Sequence, residues 1–102
     1  MNEEDERREK ARLLALLESQ HSFPGPYTFK VIYRNKDDMS EHIRARIKEA
    51  TGIKITDGQV AVRSSSAANF LSMTLDMDIQ TAQEVLDVYD VLSTVEDIVS
   101  WF

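Results

Sequence analysis

Tyr27, Phe29, Val31 and Tyr33 alternate along the chain with Thr28, Lys30, Ile32 and Arg34. A period of two with aromatic and β-branched residues on one face predicts a half-buried β-strand. A second alternation is longer: Leu71, Met73, Leu75, Met77 and Ile79 against Phe70, Ser72, Thr74, Asp76 and Asp78. Between them the period lengthens. Met39, Ile43, Ile47 and Ala50 recur at helical spacing, Asp38 and Glu41 have capping-box spacing, and Gly52 offers a left-handed stop. Asp57-Gly58 reads as a turn, Val60 and Val62 as part of a short strand, and Ser64 to Asn69 as a polar connection. Beyond the long alternation, Thr81 and Glu84 make a second capping box before Ala82, Val85, Leu86, Tyr89 and Leu92, an amphipathic helix. Val95 to Phe102 is β-rich and ends on Trp101-Phe102.

The predicted order from Tyr27 is β-α-β-β-α-β. Right-handed crossovers and a hairpin between the second and third strands make this α+β pattern a ferredoxin-like two-layer sandwich: a four-stranded antiparallel sheet with two helices on one face. Strands one and three should lie side by side at its centre. The methionine stripe of strand three is then core filling, since methionine adapts to irregular gaps.

Ahead of this pattern residues 3–20 read as a further helix, with four leading acids, four following bases, and an apolar part made by Ala11, Leu13, Leu14, Ala15, Leu16 and Leu17. The charge order suits the helix macrodipole, and Glu3–Arg7, Glu4–Arg8 and Glu6–Lys10 are favourable i,i+4 pairs. Phe23-Pro24-Gly25-Pro26 separates this helix from the first strand. The expected organisation is a charged amphipathic extension over 1–22 and a domain over 23–102. Leucines on nearly every side of the extension suggest more than one contact, on its own domain or on another chain.

Composition narrows the function classes. The 102 residues carry a net charge of −6 and no cysteine, which leaves no disulfide framework or thiolate zinc site. Residues 55–102 hold Arg63 against Asp57, Asp76, Asp78, Glu84, Asp87, Asp90, Glu96 and Asp97, whereas the first half is nearly balanced. Phosphate-binding surfaces need basic patches, so nucleic acid is disfavoured as a partner. The acidic amino terminus is unlike a secretory signal or transit peptide, and no apolar run approaches the roughly 20 residues of a membrane span. A cytoplasmic location without membrane partners is expected.

The chemistry-bearing residues are sparse. His21 and His42 are the only histidines, so the usual nucleophile-and-base pairings are scarce; Ser65, His42 and Asp76 have no motif behind them as a triad. Asp37, Asp38, Glu41 and His42 cluster in sequence, as do Asp76 and Asp78. Hard cations need several converging carboxylates, whereas helix capping and a solvated strand face account for these. A non-enzymatic protein without cofactor, metal or catalytic residues is expected.

Phe23-Pro24-Gly25-Pro26-Tyr27-Thr28-Phe29-Lys30-Val31-Ile32, followed by Val62-Arg63-Ser64-Ser65-Ser66 and Asn69-Phe70-Leu71-Ser72, resembles the YbeD-like family of small bacterial proteins, a domain of unknown function (493). The likeness covers residues 23–102. It implies a ferredoxin-like fold similar to ACT-type regulatory domains and no established enzymatic activity. Where the family commonly has Pro-Ser-Ser-Lys-Gly-Asn, this chain has Ser64-Ser65-Ser66-Ala67-Ala68-Asn69; Ala67 and Ala68 replace the lysine and glycine, so the resemblance does not carry over an anion-binding role for that lysine.

These features converge on a regulatory or adaptor domain acting by protein–protein contact. The expected interaction residues are Lys30, Arg63, Ser65, Ser66 and Phe70 on the hairpin and open sheet face, with Leu13, Leu16 and Leu17 on the extension. The protein partner is unidentified, and a homodimer through a sheet edge or open face is a further expectation. The alternative is an ACT-like domain binding a small-molecule effector near the turn after strand one, although Asn35-Lys36-Asp37-Asp38 lacks the glycine usual there. RNA binding on the sheet ranks third, because Phe70 is the one aromatic placed on that face.

Overall fold

The computed structural model describes residues 2–65 and 67–102. Its elements are α1 (Glu3–Gln20), β1 (Gly25–Arg34), α2 (Met39–Thr51), a short 3-10 turn (Asp57–Gln59), β2 (Val60–Ser64), β3 (Phe70–Ile79), α3 (Ala82–Thr94) and β4 (Ile98–Trp101). The sheet runs β2-β3-β1-β4 with every neighbouring pair antiparallel, so the domain has the ferredoxin-like order. β1 and β3 are paired along their whole length, from Gly25 opposite Ile79 to Arg34 opposite Phe70.

This register puts Phe29 against Leu75 and Val31 against Met73, all four fully buried. Residues directly opposite in an antiparallel pair share a face. The alternation read from the sequence therefore becomes one continuous apolar layer, completed by Ile43 and Ile47 of α2 and Val85, Val88 and Leu92 of α3. Met73 and Met77 lie inside that layer, which is the core-filling role expected of them.

Several local expectations change. The structure buries Val88 and Val91 of α3 and leaves Leu86 and Tyr89 half-buried on the flank toward α1. Ala50 is exposed. Asp38 precedes α2 at φ 61 and ψ 17 and forms no side-chain cap, because capping through Asp requires an extended backbone at that position. Thr81 does cap α3, accepting from the Glu84 N–H at 3.2 Å, but the Glu84 carboxylate reaches one residue further back and accepts from the Gln80 N–H at 2.7 Å. Gly52 ends α2 at φ 78, with its N–H on the Lys48 carbonyl. On α1 the Glu3–Arg7 and Glu4–Arg8 pairs form, while Glu9–Arg12 stands where Glu6–Lys10 was expected.

The β2–β3 hairpin carries a backbone strain. Ala68 sits at φ 57, a left-handed conformation that costs a residue with a Cβ roughly 1–2 kcal/mol relative to glycine. This is the position where the resemblance of the hairpin to the YbeD-like pattern would place glycine. Ala68→Gly will raise the stability by about 0.5–1 kcal/mol, read as a higher urea midpoint with an unchanged slope.

Candidate interaction surfaces

The helices cover one face of the sheet; Pro26, Thr28, Lys30, Ile32 and Arg34 of β1 point from the other. The register sets Asp78, Asp76, Thr74, Ser72 and Phe70 of β3 beside them, and Ala61 and Arg63 of β2 beyond. Ser100 of β4 lies opposite Ile32. Lys30 and Phe102 exchange both backbone hydrogen bonds, at 2.6 and 2.9 Å. Phe102 thus shares the open face with Lys30, whereas Trp101, opposite Val31, lies on the helix side of the edge strand. The sequence treats Trp101-Phe102 as one closing unit; the pleat divides it.

This open face carries two phenyl rings rather than one. Phe70 is 40% and Phe102 57% exposed, and the half-buried Ile32 stands between them. They occupy diagonal corners, their backbones about 16 Å apart by strand spacing and rise. Adjacent rings suit successive bases; a diagonal with a central aliphatic residue suits anchors of a protein contact. Lys30, Arg34 and Arg63 flank the diagonal, and the acids of the face, Asp76 and Asp78, lie toward the opposite end. Thr28 donates to Asp76 at 2.7 Å. Arg34 and Lys36 reach Asp97 at 3.8 and 3.0 Å, so Lys30 and Arg63 are the more available cations.

The serine hairpin resolves into turn chemistry where it is described. The Ser65 hydroxyl accepts from the Phe70 N–H at 3.3 Å, and the Ser65 N–H donates to the Phe70 carbonyl at 2.9 Å. Ser65 therefore positions Phe70; Ser66 lies outside the described residues. The turn after β1 is tied to the same hairpin: the Asn35 N–H donates to the Asn69 carbonyl at 3.0 Å, and its side-chain amide to the Ala68 carbonyl at 2.8 Å. The Asn35 N–H of that turn is thereby engaged.

A second surface is built by α1. Its C-terminal end, Glu18 and His21, shares a shallow cleft with Gln80, Thr81 and Ala82, while its stretch from Glu6 to Leu17 faces Gln83 to Asp90. The two helices thus lie side by side with opposite sense. Leu17 packs against the main core; no residue of α1 is fully buried. Between the helices runs a groove of about 670 Å³ with Leu13, Leu16, Leu17, Leu86 and Tyr89 in its lining. Glu6, Glu9, Lys10, Asp87 and Asp90 complete it. The three leucines singled out from sequence are brought together, and Leu86 and Tyr89, assigned from sequence to the core face of α3, prove to be their counterparts.

Beneath the groove lies an aromatic cluster. Tyr89 packs edge-on to Phe29 with ring centroids 5.2 Å apart, and its hydroxyl is 3.3 Å from that of Tyr27. Burial, then the Tyr27 hydrogen bond, holds the Tyr89 phenol protonated well above its ordinary value of about 10. Burial, reinforced by the Glu41 charge, moves Tyr33 the same way. Both groups are neutral in the native state and ionise more readily when unfolded. Their contribution is complete below about pH 10 and is lost as pH rises from there toward the folded-state value. Tyr89→Phe will flatten the decline of the urea midpoint between about pH 9 and about pH 11, and Tyr33 acts in the same direction.

The fold and these surfaces define a ferredoxin-like α+β domain with one uncovered sheet face and an appended helix. Residues 18–101 match the family described as Protein of unknown function (DUF493), and the chain belongs to that family. No curated protein matches it. Most of α1 lies ahead of the matched residues, so the helical groove pairs an element outside the family match with one inside it. No helix is long and apolar enough, among the described residues, to cross a membrane.

Proposed function

We propose that this chain is a non-enzymatic adaptor or regulatory domain that works by protein–protein contact through its open sheet face. The observation that carries this is the diagonal of exposed Phe70 and Phe102 with half-buried Ile32 between them, bordered by Lys30, Arg34 and Arg63. Aromatic anchors with a cationic border fit an acidic partner segment bearing apolar side chains. Such a contact needs no group beyond those present.

Affinity capture from native lysate should compare the wild type with Phe70→Ala, Phe102→Ala and Arg63→Glu. The expected result is a recovered protein that is lost with each substitution and that crosslinks to a photoreactive residue at Thr74, opposite Lys30 on the same face. Identical recovery from every variant, or a metabolite that raises the melting temperature while the substitutions change no protein contact, would replace this reading with the small-ligand one.

A further inference from the structure

The groove between α1 and α3 lies on the helical layer and depends on none of the residues of the sheet face. We propose that it is a docking site for a cationic amphipathic helix of a partner protein. Its lining joins an apolar set, Leu13, Leu16, Leu17, Leu86 and Tyr89, to charged neighbours, and Leu16 remains 45% exposed. Leu13, Leu14 and Leu17 of the same helix are half-buried, so Leu16 is the leucine of α1 left available at the groove.

Charge selects the occupant. α3 carries Glu84, Asp87 and Asp90 and no basic residue. Glu6, Asp87 and Asp90 stand at the groove against Lys10, while Glu9 is already held by Arg12 at 2.6 and 3.0 Å. A second copy of α1 brings six acids and four bases, a net negative charge that complements this groove less well than a cationic helix does. Anionic lipid and nucleic acid are repelled for the same reason. A helix with lysine or arginine beside an apolar stripe meets both requirements, and helices commonly lay an apolar face into such grooves. The facing stretch of α1, Glu6 to Leu17, is about 18 Å long at 1.5 Å per residue, which sets the occupant at roughly three turns.

The test uses the full chain and a fluorescent leucine–lysine peptide of helical period, followed by anisotropy. Its controls are a scrambled peptide of the same composition and a leucine–glutamate counterpart. Only the amphipathic cationic peptide should bind. Leu16→Ala should weaken it about tenfold, and Asp87→Asn with Asp90→Asn about fivefold with a shallower salt dependence. Phe70→Ala, on the other face, should leave binding unchanged, which separates this site from the sheet surface. Circular dichroism identifies a variant that has lost its helix; should Leu16→Ala do so, the paired aspartate substitutions decide alone. Equal binding of the scrambled peptide, or wild-type affinity in the aspartate variant, would overturn the assignment.

Discussion

Phe29→Ala will destabilise the domain by about 3–5 kcal/mol, the largest loss expected from truncating a single side chain. Phe29 is fully buried on the central strand, opposite Leu75. Its ring is 4.8 Å from that of Tyr27 and 5.2 Å from that of Tyr89. Removing it empties a site bounded by sheet and helix together, so neither layer can close the void by a local shift. Small domains have only about 5–15 kcal/mol in total, and a loss of this size brings the variant near its unfolding threshold at ordinary temperature. Urea denaturation followed by circular dichroism measures it. A cost below about 1 kcal/mol would mean that the Tyr27–Phe29–Tyr89 cluster is not the packing centre described.

A carboxylate at Val31 will prevent folding, whereas the same change at Ile32 will leave a folded protein. Val31 is fully buried between Met73 and Trp101 on the two neighbouring strands. Among the described residues the core there is apolar, so Val31→Asp places an unpaired charge in it at a cost of more than about 4 kcal/mol. Ile32 faces out, between Ser72 and Ser100 and near Lys30 and Arg34. Ile32→Asp will cost about 1 kcal/mol or less. It will also break the apolar diagonal, and binding at the open face should fail in a protein that still melts cooperatively. Two adjacent positions with opposite outcomes test the register directly, since a slip of one residue would exchange them.

The strands were the most legible part of the chain. Leu71 to Ile79 alternate without interruption, and Tyr27 to Tyr33 with the one exception of Ile32, because each strand is sandwiched between one apolar layer and one wet face. Helix positions were less so. Leu86 and Tyr89 satisfy the helical period as well as Val88 and Val91 do; their different fates depend on where α1 lies, which periodicity within α3 does not encode. The cap at Asp38 failed for a similar reason: its spacing to Glu41 suits a capping box, but the chain enters α2 through a left-handed residue.

The interaction surfaces were legible as residue types and not as places. Lys30, Arg63 and Phe70 were recognisable as outward-facing members of alternating strands. Arg34 and Ile32 share their face, but the place of Ile32 in a diagonal, and of Arg34 beside it, emerges only with Phe102. That residue joins the face because β4 pairs with Lys30 at the end of its run, after a register shift beside Ile32. Ser65 illustrates the converse: its hydroxyl suggested recognition, and the folded hairpin uses it to hold Phe70.

The order of elements, the inward face of the central strands and the exclusion of thiol chemistry were decided by sequence alone, since each depends on local period or residue type. Tertiary structure alone decided the diagonal on the open face and the acid-rimmed groove between α1 and α3. Both are made by residues far apart in the chain, and their geometry comes from strand pairing and helix docking, interactions that no local pattern carries.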